Sequence, residues 1–377
     1  MTKVMTVVGT RPEIIRLSRV IGRLTETLNH VLVHTGQNWD PALSDVFFDD
    51  LKVPRPDHYL GVNTTSLGHM LAGVLIGTEE LIRAERPDAL LVLGDTNSSL
   101  AALMARRMKV PVYHMEAGNR CFDLNVPEET NRQLVDHISD FNLVYTEHAR
   151  RNLLAEGLHP RRILLTGSPM REVLEYHRDQ IDRADVLARL GLSRKGYFLV
   201  SAHREENVDD PVRLRRMLEC LGAVRRTWGL PIVVSTHPRT RTRLAELDGH
   251  SGEGVVFHEP FGFFDYVRLQ IEARCTLSDS GTISEECAIL GFPAVTLRGS
   301  IERPESLDAG SIIMTDLDPP GVVEAITATV GQVADGGVPC ADDYRVPDTS
   351  RRVVNFVLST VRRHHEWAGI RPASAVR

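Results

Sequence analysis

Short apolar runs alternate with amphipathic stretches along this chain, the pattern of parallel strands joined by crossover helices. Lys3 to Val8 reads as a buried strand and Gly9-Thr10 as a turn. Ile14, Leu17, Ile21, Leu24 and Leu28 then recur at helical spacing before a second strand, Val31 to His34. Further strands are expected at Ala89 to Leu93, Val112 to Met115, Phe141 to Tyr145 and Ile163 to Thr166, and their unbroken apolar character suits strands covered on both faces. Beyond Gly167-Ser168-Pro169 an arginine-rich helical stretch leads to a fresh series: Tyr197 to Val200, Ile232 to Ser235, Val255 to His258, Cys275 to Leu277, Ala294 to Leu297 and Ile312 to Met314. The fold expected is α/β, with Rossmann-like domains at residues 1–168 and 169–358. Val353, Val354, Val357, Leu358 and Val361 share one helical face near the C-terminus, so a terminal helix docks on something. A helix or tail at 359–377 returning to the first domain is expected.

The 377 residues are enough for about two domains, and composition is ordinary for a globular chain. Charge narrows the partners. Lys plus Arg is 44 and Asp plus Glu 50, a net charge of −6, so no global basic field addresses a nucleic acid or an anionic membrane. Any phosphate contact must come from local geometry. The five cysteines are scattered, without CxxC or zinc spacing, and read as buried thiols of a reducing compartment. No metal site is expected: HExxH and EF-hand patterns are missing, and His364-His365 reads as a solvated pair. Neither a signal-peptide apolar core nor a membrane-length apolar run is present, so a cytoplasmic location is expected.

In doubly wound sheets the ligand crevice lies beyond the carboxyl ends of the strands, so polar residues just after strands are the candidates. Ser278-Asp279-Ser280-Gly281-Thr282 precedes a helical run, where small residues leave backbone N–H groups open to a phosphate. An ordinary N-cap and tight turn would have the same composition. Glu286, one turn further, could hold ribose hydroxyls or simply face solvent. Arg11, at a glycine-preceded helix start with Pro12 in the first turn, offers a guanidinium fork to phosphate oxygens. Walker A and GxGxxG patterns are absent, which counts against ATP and NAD; no cofactor is expected. Asp95 and Glu116 both follow apolar strands, and Glu128-Glu129 open a helix behind Pro127. Each alone could be a cap. Together they would crowd one rim of the sheet and raise one another's pKa into a range useful for proton transfer. His203, after the first strand of the second domain, adds a group that titrates near neutrality.

The motifs GTRPE from Gly9, GDTNS from Gly94, EAGNR from Glu116, PEETNR from Pro127, HREEN from His203, SDSGTISEE from Ser278 and ERPE from Glu302 occur in one order. In that order they resemble the non-hydrolysing UDP-N-acetylglucosamine 2-epimerases. The resemblance implies a glycosyltransferase-B-like pair of Rossmann-like domains with the active site in the interdomain cleft, a homodimer, and no metal or nicotinamide. It implies inversion at C2 of a UDP-linked 2-acetamido sugar through loss and return of UDP. Carried over motif by motif, Asp95, Glu116 and Glu128 match the family's catalytic carboxylates, His203 its histidine at the diphosphate and Arg132 the accompanying arginine. Arg11, Ser280, Gly281, Thr282 and Glu286 match the UDP-binding positions. Gln37-Asn38-Trp39 stands where substrate-regulated members carry Gln-His-Arg, so the resemblance does not carry allosteric activation over to this chain. The stretches TGQNWD, GNRCFD, THPRTR and SDSGTISEE look more like the branch that epimerises a 6-deoxy-L-talose precursor to UDP-N-acetyl-L-fucosamine. A UDP-sugar-dependent glycosyltransferase and a non-catalytic UDP-sugar-binding module are the alternatives; neither needs Asp95, Glu116 and Glu128 together.

Overall fold

The run Lys3–Val8 forms β1, and the helix Arg11–Thr27 follows after two residues with Pro12 in its first turn. In this computed structural model, which describes residues 1–37, 47–236, 238–246 and 254–370, the chain divides into two units, Met1–Glu175 with Val346–Arg377 and Tyr176–Arg345. In the first, β1, β2 (Asn29–His34), β3 (His58–Tyr59), β4 (Ala89–Leu93), β5 (Val112–Met115), β6 (Phe141–Val144) and β7 (Ile163–Leu165) form one sheet in the order β3-β2-β1-β4-β5-β6-β7. Every pairing is parallel. In the second, β8 (Phe198–Ser201), β9 (Ile232–Ser235), β10 (Val255–His258), β11 (Cys275–Ser278), β12 (Ala294–Leu297) and β13 (Ile313–Thr315) pair in parallel in the order β10-β9-β8-β11-β12-β13. Both are doubly wound α/β sheets of Rossmann strand order. Strand order reverses between β1 and β4, and again between β8 and β11, and such a reversal opens a crevice beyond the strand ends.

The apolar runs of the inner strands are buried on both sides as their composition requires, while the edge strands β7, β10 and β13 are only partly covered. Val7, Val33, Leu90 and Val92 are core residues of the first unit, and Phe198, Val200, Val234 and Leu277 of the second. Each fully buried side chain of this kind contributes about 1.5–3 kcal/mol.

Strand ends differ from the expectation by a residue or two, within the usual fraying of such limits. The edge strand β3 is two residues long, too short to leave a periodic signal. The units change at 175/176 and 345/346, whereas the sequence placed the changes at 168/169 and 358/359. The difference is largest at the second boundary, because the helix Thr349–Thr360 already lies within the first unit. Val353, Val354 and Val357 are its buried face. Arg23 Nε donates to Ser350 Oγ at 2.8 Å and Tyr113 Oη meets Thr360 Oγ1 at 2.7 Å. Gly167, at φ +78°, allows the return: a Cβ there would overlap the Val346 side chain.

The five cysteines are free thiols. Among the described residues no helix is long and apolar enough to cross a membrane, and no group of three or more His, Cys, Asp or Glu could hold a metal ion. Asn38, Trp39, Asp40 and His237, which enter the readings of regulation and of the fucosamine branch, lie outside the described residues.

Candidate active site

The β1 strand ends against a turn that only glycine can occupy, since a Cβ on Gly9 would overlap Ser98 Oγ and Thr35 Oγ1. Glu13, fully buried, ties this turn down. Its Oε2 accepts from Gly9 N at 2.9 Å and Thr10 Oγ1 at 2.8 Å, and its Oε1 accepts from Thr96 Oγ1 at 3.0 Å. Burial raises the Glu13 pKa, and these hydrogen bonds oppose it only in part. The half-buried Arg11 begins the helix, its guanidinium 5.6 Å from the centre of the Phe47 ring.

Glu116 follows β5 directly and sits at φ +63°, a left-handed conformation that costs a non-glycine residue about 1–2 kcal/mol. Such strain persists where surroundings over-determine it. Here Arg16, from the second turn of Arg11–Thr27, pairs with the buried Glu116 carboxylate. That carboxyl carbon lies 4.0 Å from the position a Cβ would take on Gly94, itself at φ +69°. Asp95, next in the chain, accepts from Arg132 Nε at 2.8 Å through Oδ2, and its backbone oxygen accepts from Asn131 Nδ2 at 2.9 Å. The turns after β4 and β5 and the helix Pro127–Ile138 thus meet on one rim. Glu128 is half-buried in the first turn of that helix, where exposed N–H groups favour negative charge.

Arg132 reaches further. Its Nη1 donates to Glu129 Oε2 at 2.6 Å, and Glu129 Oε2 also accepts from Cys121 N at 3.1 Å and Cys121 Sγ at 3.2 Å. Burial alone would raise the Glu129 pKa; the Cys121 donors and Arg132 more than reverse this and hold it below the usual range. One guanidinium therefore links Asp95 to a buried acid that holds the Cys121 backbone. Asp95 and Glu116 each face a guanidinium, from Arg132 and Arg16, because the helices on either side of the switch point carry arginines on their inner faces.

The second unit repeats the scheme with other residues. Asp279, fully buried after β11, accepts from His203 N and Arg204 N at 3.1 Å and from Asn207 Nδ2 at 3.1 Å. His203 Nδ1 stands 3.5 Å from the same carboxylate. Ser280 Oγ and Thr282 Oγ1 are 3.0 Å apart at the start of the helix Ile283–Leu290. Gly281 is backed by Glu302 and Arg303, which a Cβ would overlap. Three arginines converge on that one carboxylate: Arg298 at 2.6 Å, and Arg204 and Arg303 at 3.2 Å each. Arg303 also donates to the buried Glu285 at 2.9 Å. Glu286 Oε2 accepts from Gln270 Nε2 at 2.6 Å; burial raises its pKa, with the Gln270 and Thr282 hydrogen bonds opposing.

These rims carry the motifs of one family, and its model, described as UDP-N-acetylglucosamine 2-epimerase, matches residues 23–358. The chain belongs to that family. A UDP-N-acetylglucosamine 2-epimerase structure from Rickettsia bellii is similar at 42% identity and TM-score 0.92, over 98% of this chain and all of the other. The Methanocaldococcus jannaschii UDP-GlcNAc 2-epimerase, solved in complex with UDP-GlcNAc and UDP, is similar at 32% identity and TM-score 0.89, over 95% of this chain and 100% of that one. A Pseudomonas aeruginosa relative, 34% identical over 88% of this chain and 93% of its own, is named a UDP-2,3-diacetamido-2,3-dideoxy-D-glucuronate 2-epimerase.

Of the residues singled out in the sequence, Asp95, Glu116, Arg132 and Arg11 lie on the first rim with the Glu128 helix. His203, Ser280, Gly281, Thr282 and Glu286 lie on the second. Sequence reasoning gave no role to Arg16, and none of their own to Glu13, Glu129, Asp279 and Glu302 within their motifs, each buried and tied to a rim turn. A signal existed for Glu129: with Arg132 and Asp136 it forms an inward stripe of charge on Pro127–Ile138, where a core helix shows apolar residues. Asp279→Asn is expected to lower the unfolding free energy by about 1–3 kcal/mol, because an amide NH2 would then face donors. Urea unfolding measures this, and unchanged stability would contradict the assigned bonding.

Proposed function

We propose that the chain inverts C2 of a UDP-linked 2-acetamido sugar, interconverting UDP-N-acetylglucosamine and UDP-N-acetylmannosamine. A base removes the C2 proton while the C1–O bond to UDP breaks, its electron pair leaving on the β-phosphate oxygen and a C1=C2 bond forming. The 2-acetamidoglycal stays bound, the UDP oxygen adds back to C1, and C2 takes a proton on the opposite face. The membership of a family whose relatives are named for C2 epimerisation carries this reading.

The residues suit the demand. A C2 hydrogen is weakly acidic, so the departing diphosphate charge must be stabilised, and two faces of one carbon need separate groups. Asp95, Glu116 and Glu128 move the protons, and Arg132 orients Asp95. Arg11, His203, Ser280, Gly281 and Thr282 hold the diphosphate, and Glu286 the ribose. The same chemistry on UDP-2-acetamido-2,6-dideoxy-L-talose is the second reading, supported by GNRCFD and SDSGTISEE; assaying both sugars side by side separates the two. Asp95→Asn and Glu128→Gln are each expected to cut turnover about 100-fold or more while UDP binding, followed by calorimetry, persists. Near-normal turnover in both would contradict the assigned roles.

A homodimer is proposed too. It is supported by the resemblance to a family of homodimers. Sedimentation should give twice the 42.1 kDa chain mass, and a monomer mass at micromolar concentration would reject this.

A further inference from the structure

We propose that Asp136 is the positioning residue of the proton-transfer rim, a buried carboxylate that sets both turns carrying Asp95 and Glu116 from the helix that carries Glu128. This rests on the roles proposed for those three acids. Asp136 lies in the third turn of Pro127–Ile138 and is fully buried. Gly118 N donates to its two oxygens at 3.2 and 3.1 Å, and Arg120 Nη1 donates to Oδ2 at 2.7 Å. These contacts seize the β5 turn two and four residues beyond Glu116. Gly118 is held in place from the other side as well. It sits at φ +80° against Ala149 O, and its own oxygen accepts from Asn152 Nδ2 at 2.9 Å.

The third contact crosses to the neighbouring strand. His114 Nδ1 stands 2.9 Å from Asp136 Oδ1, and His114 Nε2 donates to Gly94 O at 2.8 Å; a carbonyl can only accept, so that nitrogen carries a proton. Gly94 is the left-handed residue immediately before Asp95. Through one imidazole the two turns are thus brought together, the link to Asp136 being an ion-pair contact that requires a proton on Nδ1 as well as on Nε2. The far side is anchored, since Arg120 makes a two-pronged bridge to Glu156 at 2.8 and 2.7 Å.

Stability alone does not call for this arrangement. Buried ion networks are often matched or bettered by apolar packing of the same volume. Proton transfer at carbon does call for it, because a misplacement of about 1 Å can cost roughly 100-fold in rate. The hydrogen bonds to Asp136 hold the backbone on which that geometry is built.

The test uses the full-length protein with Asp136→Asn, in two arms. In the kinetic arm kcat is expected to fall about 30-fold or more while KM and UDP affinity change less than about threefold. In the crystallographic arm the backbones of Glu116–Gly118 and Gly94–Asp95 are expected to shift together relative to wild type. Both turns staying in place, or kcat staying at the wild-type level, overturns the proposal; so does a loss confined to KM. If Asp136→Asn does not fold, His114→Phe decides, with the shift and the kcat loss expected at the Gly94–Asp95 turn, and His114→Gln, which can still donate to Gly94 O, restoring part of the rate. Wild-type protein that epimerises no UDP-2-acetamido sugar would reject the function reading instead, and the crystallographic arm would still decide whether Asp136 sets the turns.

Discussion

A parallel sheet ends in turns whose backbone N–H groups have no neighbouring strand to bond, and these groups must be satisfied where water is excluded. Here the partners are buried carboxylates. Glu13 serves the turn after β1, Asp136 the turn after β5, Glu129 the loop at Cys121, and Asp279 the turn after β8. A carboxylate suits this task because it accepts several hydrogen bonds at once and donates none. The candidate functional residues are the neighbours of these acids, so their placement inherits the rigidity of the buried bonds.

The arrangement separates two kinds of acid. Those that hold backbone are sealed in; Asp95 and Glu128 are only half-buried. Glu116 is the intermediate case, buried yet held in a left-handed conformation by Arg16. In the proposed reaction the carboxylates of the first unit move the protons, and Arg11, His203 and the Ser280 turn meet the diphosphate charge that develops on elimination.

Much of the fold was legible because parallel strands buried on both faces read as unbroken apolar runs, and all but β3 did so. The terminal helix was legible as a helix, but an apolar face says that something covers it and not what, so its early return to the first unit was missed. Most candidate site residues were singled out through one rule, that polar residues after strands at a reversal of strand order are near the crevice; Glu128 came from a helix start and Arg132 from the family motif. The supporting acids were not. The partners of Asp136 come from β5 and the turn after it, and those of Asp279 from the turn after β8; burial of an acid depends on donors that a local pattern does not contain. The pairing of Glu116 with Arg16 was hidden for the same reason, since the two lie 100 residues apart in sequence.

The central claim is that a single sugar carbon loses and regains its hydrogen through solvent-exchangeable acids of the protein. Proton NMR of UDP-N-acetylglucosamine incubated with the protein in D2O, without any acceptor, tests it directly. The account predicts that the product epimer carries deuterium at C2 from the first turnover and that the starting sugar acquires it as equilibrium is approached. A product epimer that retains its original C2 hydrogen would contradict it.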